Sequence, residues 1–357
     1  MLPIVHAFPL DGNPVSCERY GSGHINETYL LKTDAPHDYI LQKVNHNIFK
    51  DVDGLMKNIA AVTSFLYEKT PDPRQVLTLV KTKCGENYAK SEDGFYFRLY
   101  EFVTDSLCLD KVESEEDFYQ SAVAFGQFQN QLSQFPADTL TETIPHFHDT
   151  IDRYRLFHEA LEKDVMGRAA SVQEEIKFAL DREEEAGTMV RMLREGKLPL
   201  RVTHNDTKLN NVMLDAKTRK PLCVIDLDTV MPGLAGNDFG DSIRFGANTA
   251  AEDEKDLSIV HFSLPLFEAY AKGFLSACGS SLTDLEIETL PLGAKLMTLE
   301  CGVRFLTDYL QGDTYFRVHR EGHNLDRYRT HMKLITEMEE KWADMQAVIQ
   351  KIAAQYR

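Results

Sequence analysis

The stretch VTHNDTKLNNVMLD, residues 202–215, decides how this chain is read. Val202 and the run Val212-Met213-Leu214 have the β-branched and apolar character of short strands. Between them stands a polar island holding His204, Asp206, Lys208, Asn210 and Asn211. Downstream, CVIDLDTVMPGLAGNDFGD places Asp226 at the end of an apolar run, with Asp228 and Asp238 following. Near the start, YGSGHINETYLL sets Gly21, Ser22 and Gly23 in a turn between two apolar runs.

Phosphoryl transfer from a nucleotide needs three kinds of group in such places. A carboxylate must orient the attacking hydroxyl and take its proton, and hard oxygen ligands must hold Mg²⁺ against the phosphates. Main-chain amides must then cover those phosphates. Asp206 suits the first role. The amide oxygen of Asn211 and the carboxylate of Asp226 suit the second. Gly21-Ser22-Gly23 suits the third, because glycine lets the main chain approach a phosphate closely. Each piece has a plainer reading too: a lone Asp206 could be a turn residue, and the glycines a simple hairpin turn. Asp228 is open between a second metal contact and a turn residue.

Outward from these motifs, the first hundred residues are strand-rich. CERY, TYLLKT, YILQKV, VLTLVKTK and FYFRLYEFV read as β-type runs. One helix interrupts them from Asp51 to Glu68, on the helical spacing of Val52, Leu55, Met56, Ile59, Val62, Phe65 and Leu66. Beyond Val103 the pattern becomes helical. Helices are expected over Ser114–Leu132 and Ser171–Glu195, the second with a capping box at Ser171–Glu174 and a stop at Gly196. The segment 200–230 is an island of short strands, and the chain from Asp238 onward is mostly helical. His146 and His148 fall on one face of a further short strand. The fold class is therefore α+β, a small antiparallel-sheet lobe over residues 1–103 and a larger, mainly helical lobe over 104–357, with a crevice expected between them.

The net charge of −17 disfavours nucleic acid or an anionic membrane as partner. It leaves room for a local site that binds an anion. The N-terminal residues show no signal-peptide pattern, and no apolar run reaches the length of a membrane span. Six scattered cysteines without a CxxC pair read as reduced thiols, and the expected location is the cytoplasm. His319 and His323 do not match the order of a zinc metalloprotease helix.

The combination HxDxxxxN at His204, Asp206 and Asn211, followed by a strand ending in Ile225-Asp226, resembles the aminoglycoside phosphotransferase/choline kinase superfamily, which has a bilobal protein-kinase-like fold. HNDTKLNNVMLD, DLDTVMPGL, DFGDSIRFGA and GSGHINETY are closer still to the N-acetylhexosamine 1-kinases, which phosphorylate the anomeric hydroxyl of GlcNAc or GalNAc. The resemblance implies ATP as donor and Mg²⁺ as cofactor. It implies Asp206 as the catalytic aspartate, Asn211 and Asp226 as metal ligands, Asp238 as a brace of the catalytic loop, and His204 as support for that loop. It also implies that main-chain groups of Glu101 and Val103 meet adenine. A phosphate-pairing cation belongs on the strand YILQKVN, where Lys43 is available, although alternation could turn Gln42 inward instead. The acidic partner of that cation is unassigned, since Glu68 lies at the far end of its helix and only Asp51 and Asp53 stand near the start. By family analogy the later helices supply the sugar site. Asp206 and Arg304 are the expected contacts there, with Tyr315 and His24 beside them, a planar guanidinium suiting paired sugar or acetamide oxygens. The same chemistry on choline, ethanolamine, homoserine, an aminoglycoside or another sugar is the alternative, and a silent kinase-like binding protein a third reading. Oligomeric state is not readable.

Overall fold

Alternation of apolar residues along the strands builds the sheet that opens the chain. The computed structural model describes residues 3–21 and 25–356. Ser22, Gly23 and His24 lie outside the described residues. The strands are β1 (Pro14–Arg19), β2 (Glu27–Thr33), β3 (Tyr39–Val44), β4 (Leu79–Val80), β5 (Ala89–Lys90) and β6 (Tyr96–Glu101). They form an antiparallel sheet in the order β1-β2-β3-β6-β4, with β5 also paired to β6. Leu41 stands opposite both Tyr29 and Leu99, and Leu31 opposite Tyr39. These residues pack with Val5, Phe8 and Phe97 into one buried cluster. The two-residue side-chain period then sends Gln42, Arg98 and Tyr100 to the opposite face. The expected strand VLTLVKTK shrinks to Leu79–Val80.

Helix α1 (Val52–Lys69) begins where Asp51 accepts the Gly54 N–H at 2.9 Å, and it buries Val52, Leu55, Met56, Ile59, Val62 and Leu66. Strand β7 (Ser106–Leu107) pairs with Val212–Asp215, which pairs in turn with Pro221–Val224. The chain divides into two compact units. The first comprises Met1–Cys108 together with Gln131–Pro145 and Asn211–Pro232. The second comprises Leu109–Asn130, His146–Asn210 and Gly233–Arg357. A small antiparallel-sheet unit and a larger helical one give the expected α+β class.

The second unit carries α2 (Glu115–Gln131), α3 (Thr150–Lys163), the run α4, α5 and α6 (Gln173–Leu180, Glu183–Ala186, Thr188–Arg194), α7 (Ala235–Gly246), α8 (Leu264–Cys278), α9 (Asp284–Glu288), α10 (Leu290–Gln311), α11 (His323–Glu340) and α12 (Trp342–Tyr356). Helix α10 is buried nearly all round, as an internal helix must be when its polar faces are few. It packs on α3, α7 and α11, and Leu299, Val303, Leu306 and Leu310 lie in the cluster that unites them. Against α7 the approach is main chain to main chain. A Cβ on Gly240 would lie 2.3 Å from the Gly293 carbonyl oxygen, and one on Gly293 2.3 Å from that of Gly236.

One expected helix, 171–195, is instead three short ones. Ser171 donates to the Arg168 carbonyl at 2.7 Å rather than capping, and Val172 stands at the start of α4. The breaks have a physical cause: arginine side chains replace main-chain donors. Arg182 Nη1 donates to the Phe178 carbonyl at 3.0 Å, and Arg191 Nη2 to that of Glu184 at 2.6 Å. His146 and His148 lie in a turn rather than a strand, with His146 at φ 56°. Among the described residues no helix is long and apolar enough to cross a membrane.

A methyl group at Gly293 must push α7 and α10 apart. Gly293→Ala is expected to destabilise the protein by about 2–3 kcal/mol, as overpacking does, and to lower the thermal midpoint by about 3–5 °C. An unchanged midpoint would show that the crossing has slack.

Candidate active site

The chain from strand Arg201–Thr203 enters the loop that carries Asp206. A loop of this kind leaves main-chain N–H groups without ladder partners, and each must be satisfied if buried. Asp238, fully buried in the first turn of α7, does this. Its Oδ2 accepts the His204 N–H at 2.9 Å and its Oδ1 the Asn205 N–H at 2.7 Å, while Gln129 donates to Oδ2 at 2.6 Å. Burial pushes the Asp238 carboxyl above its usual range, and these donors pull the other way. One turn later, Asp241 accepts the Thr207 N–H at 2.9 Å and Ser242 donates to the Thr207 carbonyl at 2.7 Å. The brace implied for Asp238 is thus present, widened by its helix neighbours.

His204 is fully buried, edge-on to Phe125 and Phe128 at ring-centroid distances of 5.4 and 5.9 Å. Its Nδ1 accepts the Asp206 N–H at 3.3 Å, so it supports the loop from beneath. The Asp206 carboxylate pairs with Lys208 Nζ at 2.8 Å. That carboxylate, with Asp241 behind it, holds the ammonium protonated well above the usual lysine range. The pair holds one carboxylate oxygen at a fixed place, as a group that orients a hydroxyl requires.

Asp206 belongs to the second unit, and Asn211 and Asp226 to the first. Within the first unit the last two are neighbours. Val212 stands opposite Val224 across the strand pair, and the Ile225 N–H donates to the Asn211 carbonyl at 2.9 Å. Asn211 precedes one paired strand and Asp226 follows the other. They offer an amide oxygen and a carboxylate, both hard donors of the kind Mg²⁺ takes. Asp226 sits at φ 59°, a left-handed conformation that costs a non-glycine residue about 1–2 kcal/mol.

Gly21 is exposed at φ 74°, a left-handed conformation that glycine adopts without cost, with open space where a Cβ would be. Ser22, Gly23 and His24, expected at the phosphates and the sugar, lie outside the described residues. On β3, Lys43 forms an ion pair with Glu27 at 3.1 Å and lies over the Phe95 ring at 3.7 Å. Gln42 faces the other way, accepting two hydrogen bonds from Arg98 and donating to Thr28 at 3.0 Å. Neither aspartate at the start of α1 partners β3 among the described residues: Asp51 caps the helix, and Asp53 accepts the Tyr88 hydroxyl at 2.5 Å. Glu101 ends β6, its N–H donating to the Thr78 carbonyl at 3.0 Å, and the Val103 carbonyl accepts the Ser106 hydroxyl at 2.8 Å.

Arg304 and Tyr315 do come together, in the second unit. The guanidinium donates to the Tyr315 hydroxyl at 3.4 Å and lies 5.5–5.8 Å from the ring centres of Phe147, Tyr315 and Phe316. A cavity of about 110 Å³ opens beside them, lined also by Arg153, Leu156 and Gln311. Asp308 holds the loop that presents Tyr315, accepting the N–H groups of Thr314, Tyr315 and Phe316 at 2.8–2.9 Å. Behind Arg304, Glu300 is buried and meets His148 Nδ1 at 3.1 Å; His148 Nε2 faces the Asn205 carbonyl at 3.1 Å. Both ring nitrogens face acceptors, so the ring carries two protons. Burial alone would lower its pKa, and the Glu300 carboxylate more than reverses that. A chain of contacts thus runs from Arg304 through Glu300 and His148 to the residue before Asp206.

The profile of the phosphotransferase enzyme family matches residues 16–271. The chain belongs to that family. Its fold is that of the aminoglycoside phosphotransferase/choline kinase superfamily, as the motifs implied. Similar solved structures include a microcompartment-associated aminopropanol kinase (15% identity, 96% of each chain covered, TM-score 0.63). An amicoumacin kinase in complex with AMP-PNP, Ca²⁺ and Ami matches at 14% identity over 94% of this chain and 91% of that one, TM-score 0.61. The choline kinase of Cryptosporidium parvum Iowa II matches at 14% identity, 93% and 91% coverage and TM-score 0.56.

Four side chains of this phosphotransferase went unread in the sequence. Lys208 stood inside the opening motif, two residues from Asp206. Arg98 and Glu300 are charges within apolar runs, FYFRLYEFV and LMTLECGVRF, and a charge so placed needs a buried partner. His148 was noticed only as half of a histidine pair.

The raised pKa of His148 gives a pH dependence with a definite sign. Its pairing stabilises the fold fully below about pH 6.5, the unfolded value, and that contribution fades as pH rises through the higher folded value. Denaturant midpoints of wild type and His148→Asn are expected to differ most near pH 6 and to converge in alkali. A gap that widened with pH would mean a neutral ring.

Proposed function

We propose that this chain is an ATP- and Mg²⁺-dependent kinase that phosphorylates the anomeric (C1) hydroxyl of an N-acetylhexosamine. What supports this acceptor is the chemistry around Arg304. Two guanidiniums, Arg153 and Arg304, line a cavity walled by Tyr315 and Phe316. Cations with planar, bidentate donors suit the oxygens of sugar hydroxyls and an acetamide. They disfavour choline, ethanolamine or an aminoglycoside, which bring a positive charge of their own. The motif HNDTKLNNVMLD adds the resemblance to N-acetylhexosamine 1-kinases. The solved relative with AMP-PNP supports ATP as donor.

In the reaction Asp206 hydrogen-bonds the C1 hydroxyl and takes its proton as the oxygen attacks the γ-phosphorus. Lys208 holds one Asp206 oxygen in place. Mg²⁺ on Asn211 and Asp226 supplies neutralisation of the phosphate charge. The bond broken is phosphorus to oxygen on the donor and the bond formed is phosphorus to the sugar oxygen. The C1–O bond survives, so the anomeric configuration is retained. The proposed division of labour gives residues 1–103 the nucleotide and the helical remainder the acceptor.

Incubation with Mg²⁺–ATP and a panel of acetamido sugars, amino alcohols and aminoglycosides tests the acceptor, the new phosphate being located by phosphorus–carbon coupling in NMR. A sugar 1-phosphate is expected; a phosphorylated amino alcohol, the acceptor class named for two of the solved relatives, would replace the reading. Asp206→Ala should lower kcat at least 10³-fold with nucleotide binding intact, and turnover within tenfold of wild type would remove Asp206 from the chemistry.

A further inference from the structure

We propose that the buried ion pair Arg98–Asp228 positions the metal-binding carboxylate Asp226. The inference rests on the kinase reading above and names a residue that reading does not use.

Strand β3 uses its two faces differently. Its lysine is engaged on one face of the sheet, with Glu27 and Phe95. The opposite face carries Gln42, a neutral amide, directly across from Arg98 on β6. Gln42 Oε1 accepts from Arg98 Nε at 2.9 Å and Nη2 at 2.8 Å, which fixes the plane of the guanidinium. The remaining nitrogen, Nη1, pairs with Asp228 Oδ1. Arg98 is 1% exposed, so it reaches no ligand itself and acts through Asp228.

Asp228 is two residues from Asp226, and the chain between them makes a single 3₁₀ turn, Leu227–Thr229. Its other oxygen accepts from Asn26 Nδ2, and Asn26 Oδ1 accepts the Asn45 N–H at 2.9 Å. The start of β2, the residue after β3 and the middle of β6 therefore all converge on one carboxylate. The main chain of the same loop is clipped twice more. Thr143 donates to the Asp228 carbonyl at 3.1 Å, and Asn58 on α1 to the Val230 carbonyl at 3.1 Å. The last contact ties helix α1 to the loop through an amide.

Asp226 is the strained residue of this turn, held at φ 59°. A left-handed aspartate persists only where its surroundings over-determine it. The anchored side chain two residues on is that constraint. Releasing it frees Asp226 to relax to negative φ and shifts its carboxylate from where the turn now holds it.

The test uses the full chain and Mg²⁺·ADP binding by calorimetry, which needs no acceptor. The double variant Arg98→Met/Asp228→Asn removes both charges together and keeps an acceptor for Asn26, so no lone ion is left buried. It is expected to melt within a few degrees of wild type. It should bind Mg²⁺·ADP at least tenfold more weakly and need at least tenfold more Mg²⁺ for half-maximal binding, while the acceptor KM moves less than threefold. A folded double variant with affinity within threefold of wild type overturns the proposal. Should it fail to fold, Arg98→Lys decides: the shorter, point-like cation cannot hold Gln42 and Asp228 at once, and a threefold or greater loss of affinity, recovered at high Mg²⁺, is expected. Unaltered affinity in Arg98→Lys overturns the proposal. So does a Lys43→Met variant whose Mg²⁺ requirement rises as steeply as the double variant's, since the role would then return to the strand lysine. Wild-type protein that binds no Mg²⁺·ADP sinks the kinase reading instead.

Discussion

Two main-chain N–H groups, those of His204 and Asn205, point into a buried space, and one carboxylate answers both. Without Asp238 each would lose a buried acceptor, at a cost of about 1–3 kcal/mol, and the loop that carries Asp206 would lose its deepest brace. The rest follows from where Asp238 sits. It opens α7, whose N-terminal dipole favours a carboxylate, and that helix brings Asp241 and Ser242 to Thr207 one turn on. Tyr270 on α8 then closes the chain by donating to Ser242 at 2.6 Å. Asp206 is fixed through its main chain, which leaves its side chain to pair with Lys208.

The first unit solves a similar problem with charge. There the loop after Pro221–Val224 is held by a guanidinium on Asp228, and the guanidinium is oriented by the amide of Gln42. A desolvated ion pair is weak as a source of stability but strict in its geometry. Asn58, reaching the same loop from α1, adds a neutral tether. Loops bearing candidate catalytic and metal groups are thus each held from behind by residues that touch no reactant.

How far the sequence could be read depended on whether the signal was local. Strands β2, β3 and β6 and helices α1 and α2 were legible because their periodic and terminal signals lie within a few residues. The family, the α+β class and the polar loop were legible because motif spacing is itself local. The region 171–195 misled because its apolar period continues through two breaks that are made by side chains, Arg182 and Arg191, bonding to carbonyls. Arg98 was illegible as a partner of Asp228 because the two are brought together only by sheet register, and β3's choice between Gln42 and Lys43 turned on the same register. His148 and Glu300 meet across about 150 residues of chain, and nothing in either local sequence announces the other.

The glycine crossing of α7 and α10 has a consequence for how such an enzyme can change. Glu300, Arg304 and Asp308 recur every four residues along one side of α10, and Asp238 and Asp241 lie on α7. Because the helices touch main chain to main chain at Gly236, Gly240 and Gly293, their separation is set by covalent geometry and not by the bulk of any side chain. Side chains along that face of α10 can therefore be exchanged over generations without moving the ruler from which the Asp206 loop is measured. Variation along one helix and constancy of the loop braced by the other become mechanically independent.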